Sequence, residues 1–429
     1  MVKKNEGPND DNFLETIFKR AVLERASDIH IEPFSDKTCV RFRVDGILQE
    51  KWKEPLYKLE PLINKIRALA NIDIVNTPIP QEGHFEFALK IIKDDQRQKD
   101  DEQKQEEAED ESENSEIAED KESADKKEEQ IEKRVLDVRV SVFRTINGES
   151  AVLRILNRSE MIISLENLGM DQKDFLTVKK LISRVYGMLL ITGPSGSGKT
   201  TTLYSLLRKL QGKEKNIVTL EDPVELRLEN IRQIQIKPVQ GFTFASAMRS
   251  ILRQDPDIIM VGEIRDPETA EYAVRASLTG RSVASTVHAN TTIGIIARLI
   301  DMNIERSLIA YAVNGAIAQR LVRKICSSCK TSYAPDPELL KYFKLESATV
   351  EFMRGSGCDA CNNTGYIGRT GIFEVLEFDD GLRSLIIEKT PMNVLQAHAE
   401  KTGLKTLKQD AVEKVLAGIT TIEEASRSV

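Results

Sequence analysis

The stretch "GMLLITGPSGSGKTTTLYSLLRKL", Gly187 to Leu210, decides the fold. Met188 to Ile191 is a short unbroken apolar run, the signature of a strand buried in a parallel sheet. Gly193, Pro194, Ser195, Gly196, Ser197, Gly198, Lys199 and Thr200 follow it in the pattern G-x-x-x-x-G-K-[ST]. The glycines let the backbone fold tightly, so that successive N–H groups face phosphate oxygens. In this pattern Lys199 reaches the β and γ phosphates and the Thr200 hydroxyl ligates Mg²⁺, with Thr201 beside them. Thr201 to Leu210 then reads as a helix whose N-terminal dipole favours the same anion. A glycine-rich turn without a ligand is the competing reading, and the strand–loop–helix context argues against it. The open question is the use of the phosphate bond: transfer to a small molecule, a switch, or mechanical work.

A chain of 429 residues suggests two or three domains. Its net charge of −7 is unevenly spread. Asp94 to Lys133 holds 19 acidic and 7 basic residues, a net of −12, which leaves the remainder at +5. That stretch has almost no apolar residues and cannot bury a core, so it reads as a disordered or fraying insertion, a solvated linker. No segment is long and apolar enough to span a bilayer. The start, "MVKKNEGPNDDNF", lacks a signal-peptide core, so a cytosolic protein is expected.

Residues 1–156 read as a small α+β domain of PAS-like type, with the acidic insertion at about 94–133. Asn12 to Ala26 and Glu60 to Ala70 have helical patterns. "IHIEPF", "CVRFRVDGIL", "HFEFALKII", "VLDVRVSVFRTING" and "SAVLRIL" read as strands. The alternation in Val40-Arg41-Phe42-Arg43-Val44 leaves both arginines on one face. The insertion falls between two strands, at a hairpin tip where extra length costs little. Residues 157–429 read as an α/β domain. "GMLLIT", "NIVTLED", "DIIMVGE" and "SVASTVH" alternate with helical stretches, the pattern of a parallel, doubly wound sheet. Polar residues close each strand, where ligands bind in such sheets.

"DIIMVGEIRD" delivers Glu263 at a strand end, the place for a carboxylate near Mg²⁺. "NIVTLEDPVEL" supplies Glu221, Asp222 and Glu225. A carboxylate here can orient or deprotonate the attacking water, and Glu225 ranks slightly above Glu221. His288 ends "SVASTVH". Alone it would read as a core histidine, but beside three phosphate-related strand ends it reads as a γ-phosphate sensor. A P-loop site often takes an arginine from a neighbouring domain or subunit, and Arg41, Arg43, Arg139 and Arg154 are the candidates. Surface arginines on a sheet and acids that merely cap helices are the alternatives.

Four of the five cysteines form two C-x-x-C pairs, Cys326/Cys329 and Cys358/Cys361, with 28 residues between them. Two such turns make a closed tetrahedral site, so Zn²⁺ is expected here in a structural role. The element would span about 322–372, with C-terminal helices after it. Cys39 reads as a small core residue.

Taken together, "ASDIHIEP", "RFRVDG", "GPSGSGKTTTLY", "EDPVE", "RQDPDIIMVGEIRDPETA", "TGRSVASTVHAN" and "IAQRLVRKIC" resemble the secretion ATPase superfamily of type II secretion and type IV pilus assembly. The resemblance covers nearly the whole chain outside the acidic insertion. Its tetracysteine element is similar to that of the assembly and export branch, since retraction motors usually lack one. The resemblance implies a RecA-like core, a homohexameric ring of two-domain subunits, and ATP between the domains with first-domain arginines closing over it. Domain closure would drive an inner-membrane platform protein, with association to the membrane peripheral and through partners. Lys199 and Thr200 would be Walker A residues, Glu221 and Glu225 aspartate-box residues, Glu263 the Walker B glutamate and His288 a histidine-box residue.

This chain departs from the family pattern in three places. Arg281 stands where the histidine box often has a second histidine, and "QEGH", Gln81 to His84, stands for the usual "QDGR". The chain also starts almost directly at the first nucleotide-contacting domain, which is expected of a compact system such as a competence-type pilus, or of part of a longer protein.

Among function classes, a small-molecule kinase lacks sequence support for an acceptor pocket. A GTPase switch would show an N-K-x-D motif, which is absent. A scaffold would need a broken site. A DNA-translocating ATPase is the alternative motor, but a basic excess of +5 is modest for a DNA-facing surface. No direct nucleic-acid partner is expected, and mechanical work is the reading that remains.

Overall fold

The computed structural model describes residues 13–73, 79–92, 131–156, 163–237, 240–345 and 350–429. The chain divides into two compact units, Met1–Asn157 and Arg158–Val429.

The first unit is a six-stranded antiparallel sheet under two helices. Its strands are β1 (Ala26–Pro33), β2 (Thr38–Val44), β3 (Ile47–Glu54), β4 (Gln81–Ile92), β5 (Ile131–Thr145) and β6 (Gly148–Leu156), in the order β3-β2-β1-β6-β5-β4. Helices Phe13–Leu23 and Leu59–Leu69 bury Leu14, Ile17, Phe18, Ile63 and Ile66 against Ile29, Ile31, Val40 and Phe42 of the sheet. "CVRFRVDGIL" is a hairpin rather than one strand. Asp45 and Gly46 take φ of 48° and 87°, the left-handed pair of a two-residue turn, so the chain reverses into β3. β4 and β5 pair antiparallel from Gln81↔Val142 to Ile92↔Ile131. Ile131 to Lys133 therefore belong to β5, not to the acidic insertion; the rest of the reading for 94–133 lies outside the described residues.

Within this unit Arg67, 2% exposed, donates to both oxygens of Glu149 at 2.8 and 2.7 Å. The pair staples helix Leu59–Leu69 to β6. Replacing Arg67 by Met leaves the Glu149 carboxylate buried and unpaired. It should cost about 3–5 kcal/mol in a urea melt, against about 0–1 kcal/mol for an exposed pair.

The second unit carries a seven-stranded sheet, β15-β12-β7-β11-β10-β8-β9. Its strands are β7 (Gly187–Thr192), β8 (Ile217–Glu221), β9 (Arg232–Gln235), β10 (Ile258–Val261), β11 (Ser282–Val287), β12 (Val313–Ile325) and β15 (Tyr366–Glu377). The run from β12 to β9 is parallel and β15 joins antiparallel at the edge. Every residue of β7, β8 and β10 is buried, as strands covered on both faces must be. A two-stranded ribbon, β13 (Lys330–Tyr333) and β14 (Phe352–Gly355), sits between the two cysteine pairs. Helices Leu407–Leu416 and Ile422–Ser428 pack on the far part of β12.

Candidate functional site

The P-loop leaves β7 at Gly193, whose φ is +153°. A Cβ there would lie 2.4 Å from the Gln319 carbonyl and 2.5 Å from Ser197 Oγ, so only glycine fits this approach. Gly198, in the left-handed region at +86°, starts helix Lys199–Leu210. Lys199 Nζ donates to the carbonyls of Gly193 (2.8 Å) and Pro194 (2.9 Å), folded across its own loop. Burial lowers its pKa, Glu263 offsets this, and Arg320 adds to the lowering. Pro194, Ser195, Gly196 and Thr200 are exposed on the loop and first helical turn, while Ser197 is buried. Thr202, one turn along, donates to Gln319 Oε1 at 2.6 Å and fixes the helix to β12.

Glu263 follows β10 by two residues, and its loop is held by Gly262 N–H on Leu220 O (2.7 Å) and Ile264 N–H on Thr286 O (2.9 Å). Its carboxylate pairs with Arg265 and lies 3.5 Å from His288 Nε2. The structure therefore brings Glu263, His288 and Lys199 to one edge of the sheet, at the C-terminal ends of its strands. The loop bearing His288 is tied down in turn. Ala289 exchanges two hydrogen bonds with Thr192 Oγ1, at 2.6 and 2.8 Å. Thr292 donates its N–H and hydroxyl to the buried Glu374 carboxylate of β15, at 2.8 and 2.6 Å.

Glu221 and Glu225 part company. Glu221 is 3% exposed, and its carboxylate accepts from Tyr204, Thr219 and Gln233. Burial and the Glu221 charge push the Tyr204 pKa up, so the phenol remains a donor. Tyr204 Oη in turn accepts from the Glu225 N–H at 3.2 Å. Glu221 thus organises the turn that presents Glu225.

The four arginines lie on the face of the first unit's sheet opposite its helices. Cross-strand register places Arg43, Asp28, Arg154, Arg139 and His84 in one row. Arg154 Nε reaches Asp28 at 2.9 Å, and Arg43 reaches it at 3.7 Å and the Gly46 carbonyl at 3.1 Å. Arg41 binds both oxygens of Glu32, at 2.7 and 2.8 Å, which raises its pKa. Arg281 is elsewhere. It precedes β11 while His288 follows it, so the two occupy opposite ends of one strand. Arg281 lines a cavity of about 420 Å³ with Arg184, Lys215 and Asp255.

The cysteine pairs converge. Sγ···Sγ distances are 3.8 Å for Cys326–Cys358, 3.8 Å for Cys329–Cys361 and 3.7 Å for Cys358–Cys361. A tetrahedron with Zn–S bonds of about 2.3 Å has edges of about 3.8 Å, so the four sulfurs fit zinc. The N–H groups of Gly357, Cys358 and Gly365 donate to them at 3.2–3.3 Å, as thiolates require. Burial opposes ionisation of Cys361, but its backbone donors outweigh it and bring the thiol down to about 7. The other acidic group that gathers, Asp171, Asp410 and Glu413, already surrounds Lys405.

The sequence matches the Type II/IV secretion system protein family over residues 4–98 and 112–427. The chain belongs to that family. This secretion-family ATPase is 39% identical to type II secretion system protein E of Pseudomonas aeruginosa over 416 residues, 97% of the chain and 74% of that protein. It is 38% identical to the type IV pilus assembly ATPase PilB of Thermus thermophilus over 96% of the chain and 42% of that protein. It shares its fold with the Legionella pneumophila ATPase DotB (TM-score 0.63, 19% identity, 100% and 97% of the two chains). The pilus retraction motor PilT with bound ADP is a second such structure (TM-score 0.56, 24% identity, 96% and 95%).

Three residues of the secretion ATPase's site have no place in the sequence reading: Tyr204, Gln319 and Glu374. Glu374 is an isolated polar residue in the apolar "GIFEVL", and Gln319, with Arg320 beside it, interrupts the apolar run of "VNGAIAQRL"; such interruptions are a signal for a buried polar network. Tyr204 sits in a helix and carries no comparable signal.

Proposed function

We propose that this chain is the ATP-hydrolysing motor of a type II secretion or type IV pilus assembly system. The observation that carries the reading is the Glu263–His288 pair at the mouth of an intact P-loop. In this reading Gly193 to Thr201 hold the triphosphate, and Thr200 and Glu263 hold Mg²⁺. His288 senses the γ phosphate, and Glu225, presented by the turn that Glu221 and Tyr204 organise, orients the attacking water. Residues 1–156 act as the nucleotide-contacting domain and 157–429 as the ATPase domain. Arg41, Arg43, Arg139 and Arg154 neutralise transition-state charge. Cys326, Cys329, Cys358 and Cys361 hold a structural Zn²⁺. The working form is a homohexamer that acts on an inner-membrane platform protein. In this reading that partner supplies the membrane contact; no helix among the described residues is long and apolar enough to cross a membrane.

The test is ATP hydrolysis per subunit against protein concentration, with mass measured at each point. Specific activity should rise steeply and then level as rings form. A monomer that turns over ATP at full rate defeats the ring motor. Stimulation by duplex DNA would favour a DNA translocase instead.

A further inference from the structure

Arg320 stands next to Gln319 on β12. Ala318 is the Cα partner of Thr192, so Arg320 is level with the start of the P-loop. Its guanidinium donates to two carbonyls, Gln319 O at 3.0 Å and Asn290 O at 2.9 Å. The first is the carbonyl of its own neighbour on β12, and the second lies on the loop that follows His288. Gln319 O is the atom against which Gly193 packs, and Asn290 follows His288 by two residues. Among the described residues no carboxylate forms an ion pair with Arg320, and nearby Glu374 is committed to Thr292. A half-buried guanidinium without a direct ion pair is costly; the Glu374 charge offsets part of that cost, and the charge of Lys199 adds to it. A lysine or glutamine could not span both carbonyls as the planar fork does.

We propose that Arg320 is a positioning residue of the hydrolytic site, tying the His288 loop to the part of β12 on which the P-loop packs and so setting where His288 stands relative to bound phosphates. The inference rests on the ATPase reading above. Thr192 and Glu374 anchor the same loop at Ala289 and Thr292, so loss of Arg320 releases its middle without unfolding it.

The experiment compares R320Q, R320K, H288Q and the double variant R320Q/H288Q in the full chain. R320Q should lower kcat by about 10- to 100-fold with KM for ATP within about threefold, and R320K should not restore it. In the H288Q background R320Q should cost less than about twofold more. A raised KM with kcat retained, rescue by lysine, or fully multiplying effects overturns the proposal. So does a fall in Tm with folded-state kcat unchanged. Amide exchange of residues 288–292 in nucleotide-free protein needs no turnover and should quicken by about tenfold in R320Q. No change there overturns the role of Arg320, whereas absence of Lys199-dependent hydrolysis in the unmutated chain overturns only the ATPase reading.

Discussion

Lys199→Ala should abolish ATP turnover, with kcat/KM falling by about 10³-fold or more, while the melting temperature stays within about 2 °C. The two halves of this expectation have separate causes. Lys199 is the first residue of helix Lys199–Leu210, a position where alanine is at least as good a helix former. Its ammonium makes its hydrogen bonds to the loop carbonyls of Gly193 and Pro194, and Thr202 and Gln319 hold the helix independently of it. Folding therefore loses little. On the proposed reading, the site loses the cation that stabilises charge on the β and γ oxygens as the bond breaks. Lys199 is half-buried, and burial lowers its pKa; charge in such a partly desolvated place counts for more than in water. Hydrolysis that persists at the unmutated rate would remove the P-loop from the mechanism. Loss of activity with a collapsed melting temperature would make Lys199 a structural residue.

What the sequence discloses here depends on distance along the chain. The P-loop, its strand and its helix lie within Gly187–Leu210, and the apolar runs of β7, β8, β10 and β11 are unbroken. That is why the parallel sheet, and Glu263 and His288 at neighbouring strand ends, were legible. The arginine face was legible for the same reason, through a period of two along β2. The D-G turn at Asp45-Gly46 was overlooked because the apolar alternation runs straight across it. The division of labour between Glu221 and Glu225 was not legible. It follows from Tyr204, a helical residue 17 positions away that folds onto Glu221. Arg281 and His288 show the converse: they are close in sequence, yet β11 separates them by its whole length. Gln319 and Glu374 meet the P-loop and the histidine loop only because β12 pairs with β7 and β15 with β12, a juxtaposition no local pattern encodes.

Chelating the metal, or replacing Cys361 by Ser, should unfold the cysteine turns and leave the ATPase core standing. Purified protein should carry about one zinc per chain, and its loss should quicken amide exchange at Cys326–Cys329 and Cys358–Tyr366. Affinity for nucleotide should change by less than about threefold. The magnitude comes from where the element draws its stability. Structural zinc contributes about 10–16 kcal/mol of binding free energy at neutral pH. The turns at Cys326–Cys329 and Cys358–Cys361 bury little beyond Cys326 and Cys361 themselves. Without the ion, four thiols within 4.8 Å of one another are left to a few backbone hydrogen bonds, such as that from Gly357 N–H to Cys329 Sγ. Unfolding should nonetheless stop short of the sheet. Phe343 and Phe352, between the two turns, are anchored with Ala411, Val415 and Ile422 in a separate core. β12 remains paired with β7 from Val313 to Ala318 and with β15 from Gly315 onward. Those ladders carry Gln319, Arg320 and Glu374, so the supports of the phosphate site lie on the stable side of the boundary. Global unfolding on chelation would place the boundary wrongly, and absence of zinc from elemental analysis would refute the metal site itself.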